Sequence, residues 1–369
     1  MGELQMDNNN LNSTKMHPQT NNLSRLCLNR LCRLYGKRLF FPTWLCISSS
    51  FLLSAQGSDK PSFPNFKVDG TLKNKFEYAT ESGMSRFSVR NSRIGVAGNI
   101  NPYSAYRVQV ELSNEGKFSV LDLNATLKPV EGLSLTLGQT SIPLFNSYIV
   151  TPGTMMFANR AFLGKYFLST RDLGFLAKYD FLLGTIPTKI EFGLFNGHTI
   201  NNPVWKKKMS YGGRLELGRM QGFRMTAKIY DYPNDETTHY LFYGADLRYE
   251  QKNWKVETEL MKRESKTEFH NDLLSYYLQG AYTLPIRTKI FEFIRPAVRW
   301  DAIDERADIG GFDVNRLTTG IGFGFKNERF SSILRLDYEW YMVNHPMDIF
   351  SANEEMDSNK FTLELLFTF

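Results

Sequence analysis

Three cations, Arg160, Lys165 and Arg171, fall in or just after the stretch 141–170, which is otherwise mostly apolar, and Lys178 follows close behind. Guanidinium and ammonium groups in a passage of low dielectric attract small anions through charge alone, with no bond made or broken. The same groups can instead pair with nearby carboxylates and simply pin the stretch; the sequence leaves both roles open. More cations recur in the flanking segments, among them Arg93, Arg107, Lys128, Arg214, Arg295 and Arg299. They alternate with apolar residues, and acids such as Glu111, Asp122, Glu216, Glu257 and Asp301 are nearly as frequent. Such a balance suits either a field between segregated patches or a mesh of ion pairs. Covalent chemistry has little footing. The five histidines (His17, His198, His239, His270, His345) stand far apart, and none has metal-ligand spacing with another. No nucleophile elbow or phosphate-binding loop occurs. We therefore expect no cofactor, no metal and no catalytic residues. Gly320, Gly322 and Gly324 share one face of a segment and read as a smooth wall or a bend. Lys206, Lys207 and Lys208 form a basic run in a loop, either solvated or in contact with surface polysaccharide.

These residues need elements to hold them, and the last nine residues show which kind. Phe361, Leu363, Leu365, Phe367 and Phe369 occupy every second position, with Thr362, Glu364 and Thr368 between them. A strand sends alternate residues to opposite faces, so one face is greasy and the other mostly polar. A soluble protein rarely leaves such an edge bare. A membrane barrel pairs its last strand with its first and turns the greasy face to lipid. Phe369 also resembles the signal read by the outer-membrane assembly machinery.

The same alternation recurs in sixteen segments: 66–79, 86–99, 103–113, 119–129, 132–140, 171–182, 188–197, 209–218, 222–231, 239–250, 253–264, 273–284, 291–301, 314–326, 329–343 and 359–369. Even-numbered connections are tight and turn-like, whereas odd ones are mostly longer, notably 141–170, 198–208, 302–313 and 344–358. Short turns at one end and long loops at the other are what an outer-membrane barrel requires. An Arg or Lys facing lipid at mid-bilayer costs ~2–4 kcal/mol, so the strand charges must point inward. Tyr106, Val108, Val110 and Leu112, and Leu121, Leu123, Ala125 and Leu127, are predicted to face lipid. The predicted fold is all-β: a 16-stranded antiparallel transmembrane β-barrel whose third long loop, 141–170, folds inward and narrows an aqueous lumen.

Composition agrees. The 369 residues include 29 Phe and 18 Tyr, suited to aromatic girdles, and mean hydropathy is negative. Residues 1–55 carry six basic side chains against Glu3 and Asp7, hence +4 of the total +6. That leaves no strongly basic folded domain and argues against nucleic-acid binding. All three cysteines, Cys27, Cys32 and Cys46, lie there too, which rules out a disulfide framework in the rest. Lys37-Arg38, the apolar stretch to Leu53 and Leu53-Ser54-Ala55 read as a secretory signal, so 1–55 is taken as a signal peptide with a polar extension and 56–369 as the barrel.

Leu137-Gly-Gln-Thr-Ser-Ile-Pro143, Thr170-Arg-Asp-Leu-Gly174, Gly193-Leu-Phe-Asn-Gly197, Arg295-Pro-Ala-Val-Arg-Trp-Asp301 and Arg90-Asn-Ser-Arg-Ile-Gly-Val-Ala-Gly98 resemble, in order and spacing, the phosphate-selective porin O/P family of outer-membrane barrels. The resemblance spans about residues 66–369. It implies a usually trimeric diffusion channel in the outer membrane of a Gram-negative-type cell, surrounded by lipid and lipopolysaccharide. It passes small hydrophilic solutes, phosphate by the family's name. Where the family often has a basic residue before the proline at 143, this chain has Ser141-Ile142. Arg160, Lys165 and Arg171 are the candidates carried over for an anion path. The alternatives are a surface receptor or adhesin with a plugged barrel, and a barrel-borne hydrolase.

Overall fold

The computed structural model describes residues 62–114, 117–146, 151–219, 221–286, 288–305, 311–326, 330–347 and 359–369. The signal-peptide reading of 1–55, with all three cysteines, lies outside the described residues. Eighteen strands follow one another: β1 (Asn65–Ala79), β2 (Ser85–Val89), β3 (Arg93–Asn101), β4 (Ser104–Asn114), β5 (Lys117–Leu127), β6 (Leu133–Ser141), β7 (Arg171–Leu183), β8 (Ile186–Phe195) and β9 (Ser210–Gly218), then β10 (Gly222–Pro233), β11 (His239–Gln251), β12 (Trp254–Ser265), β13 (Leu273–Tyr282), β14 (Leu284–Pro285), β15 (Phe291–Asp304), β16 (Val314–Phe325), β17 (Ser331–Val343) and β18 (Lys360–Thr368). Two of the predicted segments are interrupted. β2 and β3 both pair with β1, and β13 and β14 both pair with β15, so the eighteen pieces make a closed 16-stranded antiparallel barrel.

Closure is made by β1 against β18, with Thr71 opposite Thr368. Phe369 extends the seam: its N–H and C=O exchange hydrogen bonds with Gly70 at 3.1 and 2.9 Å, and its ring covers that glycine. Every edge is thereby paired. At the short-turn end β7 and β8 are joined by Gly184-Thr185 alone, with Gly184 at φ 63°, a left-handed position that glycine fills without strain.

The outer face is apolar. Leu247 lies exposed between buried Asp246 and Arg248, Leu278 between Tyr277 and Gln279, and Val298 and Trp300 flank Arg299. Exposed aromatics gather at both rims. Tyr78, Phe87, Tyr211, Trp300 and Trp340 stand toward the long-loop end, and Tyr179, Phe223, Tyr249, Trp254 and Phe369 toward the short-turn end. These are the two girdles expected where a barrel meets the two membrane interfaces.

Two local departures matter. Leu121 is buried, not lipid-facing: the register between β4 and β5 shifts at Gln109/Val110, and the extra residue turns Leu121 inward. The break between β2 and β3 places Asn91 at φ 57°, and Ser92 bridges the gap with its hydroxyl on the Lys73 N–H at 2.9 Å and its carbonyl on the Leu112 N–H at 2.8 Å.

Candidate functional site: a cationic cavity beside the third long connection

The polar face of the barrel is lined by ion pairs, and alternation puts them there. On β8 to β12 they run as a chain of opposite charges: Arg214 Nε to Glu191 at 2.9 Å, Arg224 to Glu216 at 3.6 Å and to Asp246 at 3.0 Å, and Lys228 to Asp246 at 3.1 Å and to Glu259. A second set joins β15 to β18. Arg316 contacts Asp301 at 3.0 Å and Glu339 at 2.9 Å; Arg299 contacts the same two acids at 3.4 and 3.6 Å; Lys360 approaches Glu339 at 3.9 Å. A third joins Lys73 and Arg335 to Glu364, at 3.1 and 2.8 Å. Cations and acids interleave, so the mesh dominates over segregated patches.

The connection after β6 meets this wall step by step. On β17 the inward residues succeed one another every second position. Arg335 donates to the Met155 carbonyl at 2.8 Å, Asp337 accepts from the Ala158 N–H at 2.7 Å, Glu339 accepts from Asn159 Nδ2 at 3.2 Å, and the Tyr341 ring lies 6.3 Å from that of Phe162. Other strands join in. Asp301 accepts from the Phe162 N–H at 2.9 Å, Arg316 donates to the Arg160 carbonyl at 2.8 Å, Arg299 to the Asn159 carbonyl at 2.9 Å, and Lys255 to the Thr154 carbonyl at 2.8 Å. Gly320 leaves room here for both the wall and the connection: a Cβ on it would run into the Asp337 carboxylate and lie 3.2 Å from the Phe157 ring. A 3-10 turn at Pro152–Thr154 and one helical turn, α1 (Leu163–Tyr166), shape the segment.

Sequence reasoning missed a layer of inward-facing apolar residues. Leu176, Phe195, Tyr230, Tyr232, Tyr240, Phe242, Met261, Leu273, Ile303 and Val314 point inward at the long-loop ends of β7 to β16 and pack with Ile142, Leu144, Phe145, Phe162, Leu163 and Phe167. On β10 a single face reads Arg224-Thr226-Lys228-Tyr230-Tyr232. It is charged near the short turns and aromatic near the long loops. The signal was present as the parity of those aromatics, but an alternating pattern is usually read by faces and not along the strand.

On the β1–β4 side the segment leaves a cavity of about 360 Å³. Lys75, Arg90, Arg160, Lys165, Arg316 and Lys360 line it against only two acids, Glu111 and Glu339, with Asn91, Asn159, Tyr166 and Tyr341. Arg160 donates to Asn91 Oδ1 at 3.0 Å, and Lys75 to Asn159 Oδ1 at 2.8 Å. Lys165 is exposed, its ammonium 4.8 Å from the Tyr166 ring centre. Burial pushes the Arg160 guanidinium below its usual range while Glu111 opposes the shift; an arginine still keeps its charge at neutral pH. The break between β2 and β3 is what brings Arg90 and Asn91 to this cavity, and apart from the Asn91-Ser92 pair no residue type there announces it.

The remaining predicted residues are dispersed. Arg171 is buried on Asp122 at 2.8 Å, and Arg93 on Glu111 at 3.2 Å. Lys178 pairs with Glu191 at 3.2 Å, and Arg107 with Asp69 at 2.8 Å. Lys128 donates to Asn99 at 3.1 Å, Arg214 also to the Phe145 carbonyl at 3.1 Å, and Arg295 to Thr283 at 3.0 Å. Of the four anion-path candidates, Arg160 and Lys165 share the cavity, whereas Arg171 and Lys178 lie outside its lining. The four described histidines take loop or strand-end partners: His198 on Asn234 and His239 on Asp231, both at 2.8 Å, His345 on Asp313 at 3.3 Å and His270 on the Thr238 hydroxyl at 3.4 Å. Among the described residues no cluster of His, Cys, Asp and Glu is placed to hold a metal.

No protein-family model matches the chain, and neither does any curated protein. Solved structures do. OmpF of Salmonella typhi, in complex with daunomycin, superposes with TM-score 0.59 at 13% identity over 83% of this chain and 98% of that one. The outer-membrane channel DcaP of Acinetobacter baumannii gives 0.55 at 11% over 85% and 99%. OmpT of Vibrio cholerae, an outer-membrane protein in a trimer form, gives 0.54 at 11% over 84% and 100%. At these identities the likeness is one of fold, and the fold is the closed 16-stranded barrel of bacterial outer-membrane proteins.

Proposed function

We propose that this chain is an outer-membrane porin. Small hydrophilic solutes cross it by diffusion, with no reaction catalysed, and anions such as phosphate are favoured where Arg90, Arg160, Lys165, Lys75 and Lys360 converge. The carrying observation is the cavity's lining of six cations against two acids inside a closed barrel. In this reading 141–170 lies across the lumen and sets its bore; support comes from the hydrogen bonds that β12, β15, β16 and β17 make with residues 154–162. Charge in a narrow, water-poor passage then biases the sign of the permeating ion. The resemblance to the phosphate-selective O/P family points the same way. The functional unit is a homotrimer set in lipid and lipopolysaccharide, and Phe369 presents the last strand to the assembly machinery. Single-channel recording in planar bilayers tests this. Ohmic steps, with a reversal potential of anion sign in a salt gradient that moves toward cations in Arg160→Glu with Lys165→Glu, are the expected result. A silent bilayer from correctly folded protein refutes it.

One observation favours a second reading, a surface receptor with a blocked lumen: the apolar layer packed from Leu176 round to Val314 fills the long-loop half of the barrel on that side. The same recording separates the two.

A further inference from the structure

The loop from β8 to β9 carries Trp205-Lys206-Lys207-Lys208 with no acid between Phe195 and Ser210. Trp205 is wholly exposed at 104%, and Lys207 and Lys208 are exposed beside it. The run is not loose. Lys206 is turned away and holds the Asn234 carbonyl and, at 3.2 Å, its side-chain oxygen, while His198 bonds the same side chain at 2.8 Å. With Lys206 tied down, Trp205 and the two following lysines are presented together. Tyr211, three residues past Lys208, is exposed on the lipid-facing side and belongs to the aromatic girdle at the long-loop end. Three residues of chain span at most about 10 Å, so Lys208, with Lys207 next to it, stays within headgroup reach of that girdle. An indole prefers such an interface, and lysines there meet phosphate.

We infer that Trp205, Lys207 and Lys208 form a binding site for the phosphorylated glycolipid of the outer leaflet, the lysines taking its phosphate and the indole lying against its sugar and acyl boundary. This deepens the membrane placement proposed above and rests on it, but it does not depend on the lumen conducting.

Full-length protein folded into phosphatidylcholine vesicles, with or without diphosphoryl lipid A, provides the test. Trp205 is read as the difference between wild type and Trp205→Phe. With lipid A its emission should move to the blue and escape acrylamide quenching; in phosphatidylcholine alone it should do neither. Lys207→Gln and Lys208→Gln should each weaken the lipid A response about fivefold, the factor that ~1 kcal/mol per near-surface cation gives. Heat-modifiable gel migration verifies that each variant is folded. Equal quenching in both vesicles, or a response indifferent to the two lysines, overturns the site. Loss of the response in millimolar inorganic phosphate assigns the lysines to free phosphate and overturns the lipid assignment. Conductance of these variants should stay at the wild-type value, so failure here is distinct from failure of the channel reading.

Discussion

Arg316→Ala is the sharpest probe of how dry the barrel interior is. The Arg316 side chain is 5% exposed, and its partners Asp301 and Glu339 are 0% and 1%. It also donates to the Tyr341 hydroxyl at 3.1 Å and to the Arg160 carbonyl at 2.8 Å, and its guanidinium stacks 4.3 Å from the Phe162 ring centre. Removing one partner of a buried ion pair costs about 3–5 kcal/mol, because a buried charge is left uncompensated. Arg299 still reaches Asp301 at 3.4 Å and Glu339 at 3.6 Å, so compensation is not lost entirely. The lower end, about 3 kcal/mol, is therefore expected. That is roughly a 150-fold change in the folding equilibrium. Urea titration of barrel folding in lipid vesicles, followed by tryptophan emission and gel mobility, measures it. Lys128→Ala, an exposed cation near the short turns, is the control and should leave the midpoint unchanged. A loss below about 1 kcal/mol for Arg316→Ala would show that water screens this wall as it screens a surface pair, and the dry packing argued above would be wrong.

Val298→Arg, on the outer face of β15 between buried Arg299 and inward Ala297, should cost ~2–4 kcal/mol in the same titration if that face meets lipid; a neutral result would place it elsewhere. Deleting Phe369 removes both main-chain bonds to Gly70 and should destabilise the seam by about 1–3 kcal/mol and slow folding, seen as delayed gain of the heat-modifiable form. Excising residues 152–162 should raise single-channel conductance several-fold while the barrel still forms; unchanged conductance would mean that the segment does not set the bore. Asp337→Asn keeps the shape but weakens the acceptor for the Ala158 N–H, and should increase current noise without changing folding yield.

The barrel was legible because two independent signals agree: side-chain alternation, and turns that are short on one side and long on the other. Each predicted segment overlaps a strand to within a few residues at either end. What escaped reading breaks the period-two rule or depends on contacts between distant segments. Leu121 is displaced by a register shift that no local residue announces. The break at Arg90–Ser92 leaves a polar stretch that looks like ordinary strand. The inward aromatics of β10 and β11 obey alternation, yet they contradict the rule that the inner face is wet, because they pack on 142–145 and 161–167. Whether a cation would line the cavity or pair away from it could not be read at all. Arg160 and Arg171 look alike in sequence, yet Arg171 is buried on Asp122 whereas Arg160 lines the cavity together with Glu111.

The segment from Gly153 to Asn159 touches both flanks of the seam. Gly153 abuts Thr368 on β18, Lys73 on β1 holds the Ala158 carbonyl, and Lys75 reaches Asn159. One short stretch of chain thus holds the first strand and the last at once. Under the channel reading proposed above, the integrity of the closing seam and the width of the bore are coupled, so a change that frees this stretch should loosen the one and widen the other together.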